Sequence, residues 1–267
     1  MARRERTPTQ WRVTQRIMWW IPARIIRLQW HLAQGIWLVR SAHRRTPKVQ
    51  AERVRYWLAA VLNNLNIRST IEGQRPENTG HLWLANHVSW LDIPLLGGLM
   101  PHTVFLSKEE IKHWPIIGAL ASGAGTLFME RGAGSEAARI ALTEGLKRNQ
   151  HVVIFPEGTT TAGYHVKRFH ARLVQPALDA RAPVQPVALR YFLSNGRVDR
   201  RAAYIDDDSM LGSMWRILRA KEIRVRVQFL EPIPTSSSTA TAFNRDDIAR
   251  LAEQRIRAVL HHWTPYT

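Results

Sequence analysis

From residue 81 onward the chain alternates short β-rich apolar runs with stretches of helical length, and this alternation restricts the fold more than any other feature. Strands are predicted at 81–84, 103–106, 126–129, 152–155, 184–190 and 223–229. The clearest helix between them is 134–148, with Ile140, Leu142 and Leu146 expected inside and Glu136, Arg139, Glu144 and Lys147 outside. A last helix is expected at 246–262, and 195–201 and 232–241 have the composition of surface connections. Strands in this order imply an α/β fold, a mostly parallel central sheet flanked by helices. At 267 residues and 45% apolar composition the chain is long enough to bury such a core.

Charge divides the chain into two parts. The net charge is +17, and residues 1–58 carry 13 Arg and Lys against two Glu. That segment also holds six of the eleven Trp: Trp11, Trp19, Trp20, Trp30, Trp37 and Trp57. Arg interleaved with Trp suits a helix at the headgroup level of a bilayer, with indoles at the interface and cations toward anionic lipid. Ile17, Trp20, Ile21, Ile25, Leu28, Leu32, Ile36 and Val39 recur at helical spacing, which favours a membrane over single-stranded nucleic acid. Pro22, Arg24, Arg27, His31 and Gln34 interrupt the run. Its longest part without Arg or Lys, 28–39, would extend only about 18 Å as a helix. The expectation is therefore residues 1–70 as membrane-interface helices, on the cytoplasmic face of the inner membrane, followed by an α/β domain at 71–267. A competing reading packs the same amphipathic helix on the protein's own core.

Directly behind the strand at 81–84 stands NHVSWLD, with His87 and Asp92 five positions apart. An imidazole near neutral pKa, its tautomer held by a carboxylate, can take a proton from a hydroxyl at physiological pH. The same residues also read as a helix start, with Ser89 as cap and Asp92 in the first turn. Either way the loop lies beyond the carboxyl end of a strand, where open α/β sheets bind ligands. FPEGTTT, residues 155–161, follows another apolar run. Cysteine is absent, which excludes disulfides, thiolate zinc sites and cysteine nucleophiles. No second His or carboxylate falls at an established ligand spacing from His87, Asp92 and Glu157, so no metal is expected.

These blocks resemble those of the glycerolipid acyltransferases. NHVSWLD resembles the family's first block, Gly125-x-x-Phe128-x-x-Arg131 the second, FPEGTTT the third, and Pro183-Val-Gln-Pro186-Val the fourth, in order and at compatible spacing. The resemblance implies that His87 is the general base and Asp92 its orienter, with direct attack of the acceptor hydroxyl on a thioester. Acyl carrier protein or coenzyme A would present the donor, with no covalent acyl-enzyme and no cofactor. Lys108, Arg131, Glu157, Gly158 and Thr159 would hold the acceptor's polar head, Glu157 through a hydroxyl or by locking Arg131. The acceptor first expected is 1-acyl-sn-glycerol-3-phosphate, to give phosphatidic acid. Thr160 stands where many phosphate-directed members carry Arg, and similar third blocks occur in relatives that acylate lyso-ornithine lipids, the alternative acceptor. Pro183 and Pro186 are expected to flank a strand and shape the sheet edge. A more distant alternative is a non-enzymatic basic protein that binds membrane or nucleic acid through residues 1–58, although no nucleic-acid partner is expected.

Overall fold

The computed structural model describes residues 8–76, 79–114, 116–129, 136–205, 207–236 and 243–263, the side chains of 8–20, Lys108 and Met129 excepted. Two helices, α1 (Pro8–Arg40) and α2 (Pro47–Asn64), precede the first strand, β1 (Ile67–Glu72). Then follow β2 (Leu82–Ala85), α3 (Asp92–Gly97), β3 (Thr103–Lys108), α4 (Glu109–Lys112), α5 (Ile117–Gly123) and β4 (Leu127–Met129). The remainder is α6 (Glu136–Lys147), β5 (His151–Ile154), α7 (Gln175–Ala180), β6 (Val184–Phe192), α8 (Met210–Arg219), β7 (Ile223–Phe229) and α9 (Arg245–His262).

The strands form one sheet in the order β1-β7-β6-β2-β5-β3-β4. Every neighbouring pair is parallel except β6 with β7, so β1 and β7 run against the other five. β2 and β5 are buried at every position, as strands covered on both faces must be, and hence read as unbroken apolar runs. One face packs Leu62 and Leu65 at the end of α2, Leu95 and Leu96 of α3, and Ile217 and Leu218 of α8. The other packs Leu142 and Leu146 of α6, Ala177 of α7, and Ile248, Ala252 and Ile256 of α9.

Three sequence readings change. β1 was not anticipated, because only Ile67 of its six residues is fully buried, and it lies across the expected 70/71 domain boundary. Ile140 is exposed rather than inside. Two residues turn a helix by about 200°, so Ile140 cannot share a face with the buried Leu142. Pro186 lies within β6, not at its flank. Its carbonyl accepts from Leu230, just past the end of β7, whose pairing with β6 starts at Val187 opposite Phe229. Pro186 has no N–H to return that bond, and the Gln185 side-chain amide donates to the Leu230 carbonyl in its place.

The described part of α1 has one packed face and one exposed face. Arg24, His31, Gly35 and Leu38 form an inner stripe. Arg24 is buried and donates to the carbonyls of Leu218, Ala220 and Lys221, satisfying the end of α8. Trp57 of α2 stacks on His31 and donates to its carbonyl at 2.9 Å. A Cβ on Gly35 would stand 2.6 Å from Trp57 and 2.8 Å from Leu120, so glycine permits this approach of three helices. Ile26, Trp30 and Trp37 are exposed on the outer face. Among the described residues no helix is long and apolar enough to cross a membrane.

Candidate active site

β2 occupies the middle of the sheet, between β6 and β5, and the loop 86–91 leaves its carboxyl end for α3. Three segments hold this loop. The Asn86 side chain donates to the Leu189 carbonyl and accepts from the Leu189 N–H, both at 2.9 Å, and so continues the pairing with β6. The Thr161 N–H donates to the His87 carbonyl at 2.8 Å, and the Tyr204 N–H to that of Val88 at 2.9 Å.

Asp92 is the centre of the arrangement. Its Oδ2 accepts from His87 Nδ1 at 2.8 Å, from the Val88 N–H at 2.8 Å and from the Ser89 N–H at 2.9 Å. Its Oδ1 accepts from the Tyr191 hydroxyl at 2.7 Å. The side chain is fully buried, whereas that of His87 keeps 18% of its surface. A carboxylate that receives N–H and O–H donors on both oxygens has no proton of its own to give, so His87 carries its proton on Nδ1. Nε2 is then the basic nitrogen, and among the described residues nothing bonds to it. Phe155 stacks on the imidazole, with centroids 3.9 Å apart and planes inclined by 12°. Ser89 is not the expected helix cap. Its hydroxyl accepts from the Leu91 N–H at 3.3 Å, one residue before α3 begins, and Asp92 reaches backward to close the turn.

FPEGTTT crosses beside this loop from the carboxyl end of β5. Glu157 accepts from the His87 N–H at 2.8 Å with Oε1 and from the Lys167 N–H at 2.7 Å with Oε2. Burial pushes its carboxyl above the usual range, against the pull of those two N–H bonds. Both oxygens are thus engaged by backbone inside the protein, and the carboxylate braces the two loops. Gly158 turns the chain with φ +70, a conformation costly for other residues, and it and Thr159 are exposed. The Thr160 hydroxyl donates to the Tyr204 carbonyl. Lys108 ends β3 on the same sheet edge, and Arg131 lies outside the described residues. Lys167 and Arg168 are exposed just beyond. Among the described residues there is no group of three or more His, Asp or Glu placed to hold a metal.

Sequence reasoning missed Tyr191, the stacking of Phe155, and the grip of Asn86 on β6. Tyr191 and Leu189 lie 99 and 103 positions from their partners, and no local pattern joins them. Phe155 stood inside a block already singled out.

Fold and site together define an α/β protein with an Asp-bound, partly exposed imidazole at the carboxyl end of its central strand, the arrangement of a candidate general base. Comparison with known proteins agrees with that class. The acyltransferase family model matches residues 66–190. A lyso-ornithine lipid O-acyltransferase of Pseudomonas aeruginosa is 45% identical over 207 residues, 77% of each chain. A 1-acyl-sn-glycerol-3-phosphate acyltransferase of Neisseria meningitidis is 37% identical over 203 residues, 75% of this chain and 77% of that one. The crystal structure of the 1-acyl-sn-glycerophosphate acyltransferase PlsC from Thermotoga maritima shares the fold, with a TM-score of 0.61 at 18% identity over 91% of this chain and 99% of that one. The chain belongs to the acyltransferase family, on the branch of enzymes that acylate lysolipids.

The brace is open to a direct test. Glu157→Gln sets an amide NH2 against one of two backbone N–H groups, so stability to chemical denaturation should fall by about 1–3 kcal/mol. A loss within the error of the measurement would mean that the carboxylate does not hold the two loops together.

Proposed function

We propose that this acyltransferase transfers a fatty acyl group from a thioester to the free hydroxyl of a lyso-ornithine lipid, with His87 as general base. The observation that carries the mechanism is the Asp92-bound Nδ1, which leaves Nε2 as the basic nitrogen of a partly exposed ring. Nε2 removes the hydroxyl proton as the acceptor oxygen attacks the thioester carbonyl. The C–S bond then breaks, and the imidazolium returns the proton to the departing thiolate. Asp92 stabilises the imidazolium between these steps and keeps the ring in one orientation. Acyl carrier protein or coenzyme A supplies the thioester, and the basic surface suits an acidic carrier.

The acceptor is read from the 45% identical relative and from Thr160. This side chain brings no charge to the site, and its hydroxyl is turned to the Tyr204 carbonyl. Lys108, Arg131, Gly158 and Thr159 are the proposed contacts for the acceptor head, with Lys167 and Arg168 close by. The Neisseria relative favours a second reading, in which 1-acyl-sn-glycerol-3-phosphate is the acceptor.

The outer face of α1 and its neighbour α2 is the proposed membrane contact, on the cytoplasmic side of the inner membrane. Trp30, Trp37 and Tyr56 are 67%, 57% and 63% exposed. Arg45 and Arg53 lie over the Trp37 ring, 5.0 and 5.4 Å from its centroid. An apolar groove of about 630 Å³ runs between the two helices. Aromatic rings with Arg beside them suit the headgroup layer of an anionic bilayer.

Incubated with acyl thioester and a panel of lysolipids, the protein should form diacyl product fastest with lyso-ornithine lipid. His87→Ala should lower that rate by a factor of about 10²–10⁴. Equal rates for the two proteins would remove His87 from the mechanism, and a preference for lysophosphatidic acid would favour the second reading. Trp30→Glu with Trp37→Glu should reduce sedimentation with anionic vesicles at least about tenfold. Undiminished sedimentation would move the membrane contact elsewhere on the molecule.

A further inference from the structure

The three donors to Asp92 Oδ2 all come from the loop that carries His87: its own ring and the N–H groups of Val88 and Ser89. Loop and carboxylate could therefore shift together without breaking any of those bonds. Tyr191 differs in coming from β6, the nine-residue strand between β2 and β7. Among the described residues, its O–H is the sheet's hydrogen bond to the carboxylate, at 2.7 Å on Oδ1. Two positions earlier on the same strand, Leu189 holds Asn86, so one stretch of β6 grips both ends of the catalytic loop.

We propose that Tyr191 is a positioning residue for acyl transfer: it fixes the plane of the Asp92 carboxylate and limits the negative charge that Oδ2 presents to the His87 ring. The proposal rests on the reading of His87 as general base. A donor on one carboxylate oxygen draws charge from the other, which weakens the hold of Asp92 on the imidazolium. Removing it should strengthen that hold while loosening the geometry. The phenol is buried, and burial together with the Asp92 charge pushes its pKa well above the ordinary value, so it remains a neutral donor. Among the described residues, the further titratable groups recorded beside the pair are Glu157, bonded to the His87 N–H, and Lys167, whose charge acts on Glu157. Both belong to the segment after β5, and neither is bonded to Oδ1.

Tyr191→Phe removes only the hydroxyl. The acid limb of kcat/KM should move to higher pH by about half a unit or more. kcat should fall about tenfold from lost orientation, with KM for the thioester little changed. A variant with reduced stability but a wild-type acid limb would reduce Tyr191 to a folding contact and overturn the proposal. If the variant does not fold, 3-fluorotyrosine in place of all five tyrosines provides the test. Its more acidic phenol is a stronger donor and should move the limb to lower pH, and an unmoved limb overturns the proposal equally. His87→Ala in the same series separates the two levels. Full activity in that variant defeats the general-base reading itself, whereas its inactivity beside an unmoved limb in Tyr191→Phe defeats only the role of Tyr191.

Discussion

A carboxylate deep in a protein is tolerable only when its oxygens are supplied with donors, because leaving it unpaired costs several kcal/mol. Asp92 meets that requirement with four donors, and the position of nearly every other group at the site follows from them. Two backbone N–H groups turn the chain from β2 into α3 around it. One imidazole nitrogen completes Oδ2, which leaves the other as the basic nitrogen of a partly exposed ring. Glu157 repeats the device one loop away, where a buried carboxyl ties the His87 backbone to that of Lys167. The site is thus two buried acids, each organising a loop, with the ring of Phe155 filling the space beside the imidazole.

The sheet supplies the rigid frame. β2 and β5 end side by side at its centre, and their two loops are NHVSWLD and FPEGTTT. β6 extends beyond β2 far enough for Leu189 and Tyr191 to reach the loop that leaves it. The N-terminal helices join the frame through the inner face of α1. There Arg24, which as a lone charge would oppose membrane burial, is consumed by the carbonyls at the end of α8. Its outer face keeps the exposed indoles. The inner stripe of this helix therefore packs on the protein's own core, while the outer stripe stays exposed.

Legibility in the sequence followed the range of the interactions. Strands covered on both faces announce themselves as apolar runs, and the six expected strands appear with ends shifted by no more than two residues. β1 stayed hidden because an edge strand with a largely solvated face carries no such run. His87 and Asp92 could be paired from their spacing, since five residues separate them. One partner of Glu157 lies 70 positions away and that of Tyr191 99, so neither contact could be read locally. Pairing across a sheet sets those contacts, and a single sequence carries no local trace of it.

The central claim is that Asp92 fixes His87 in the tautomer protonated on Nδ1, with Nε2 bare toward the acceptor. Nitrogen-15 NMR of the full-length protein with labelled histidine reads this directly at neutral pH. The account predicts a protonated Nδ1, its proton shifted downfield by the short bond to Asp92, beside an unprotonated Nε2. The opposite tautomer, or a ring exchanging freely between the two, would contradict it.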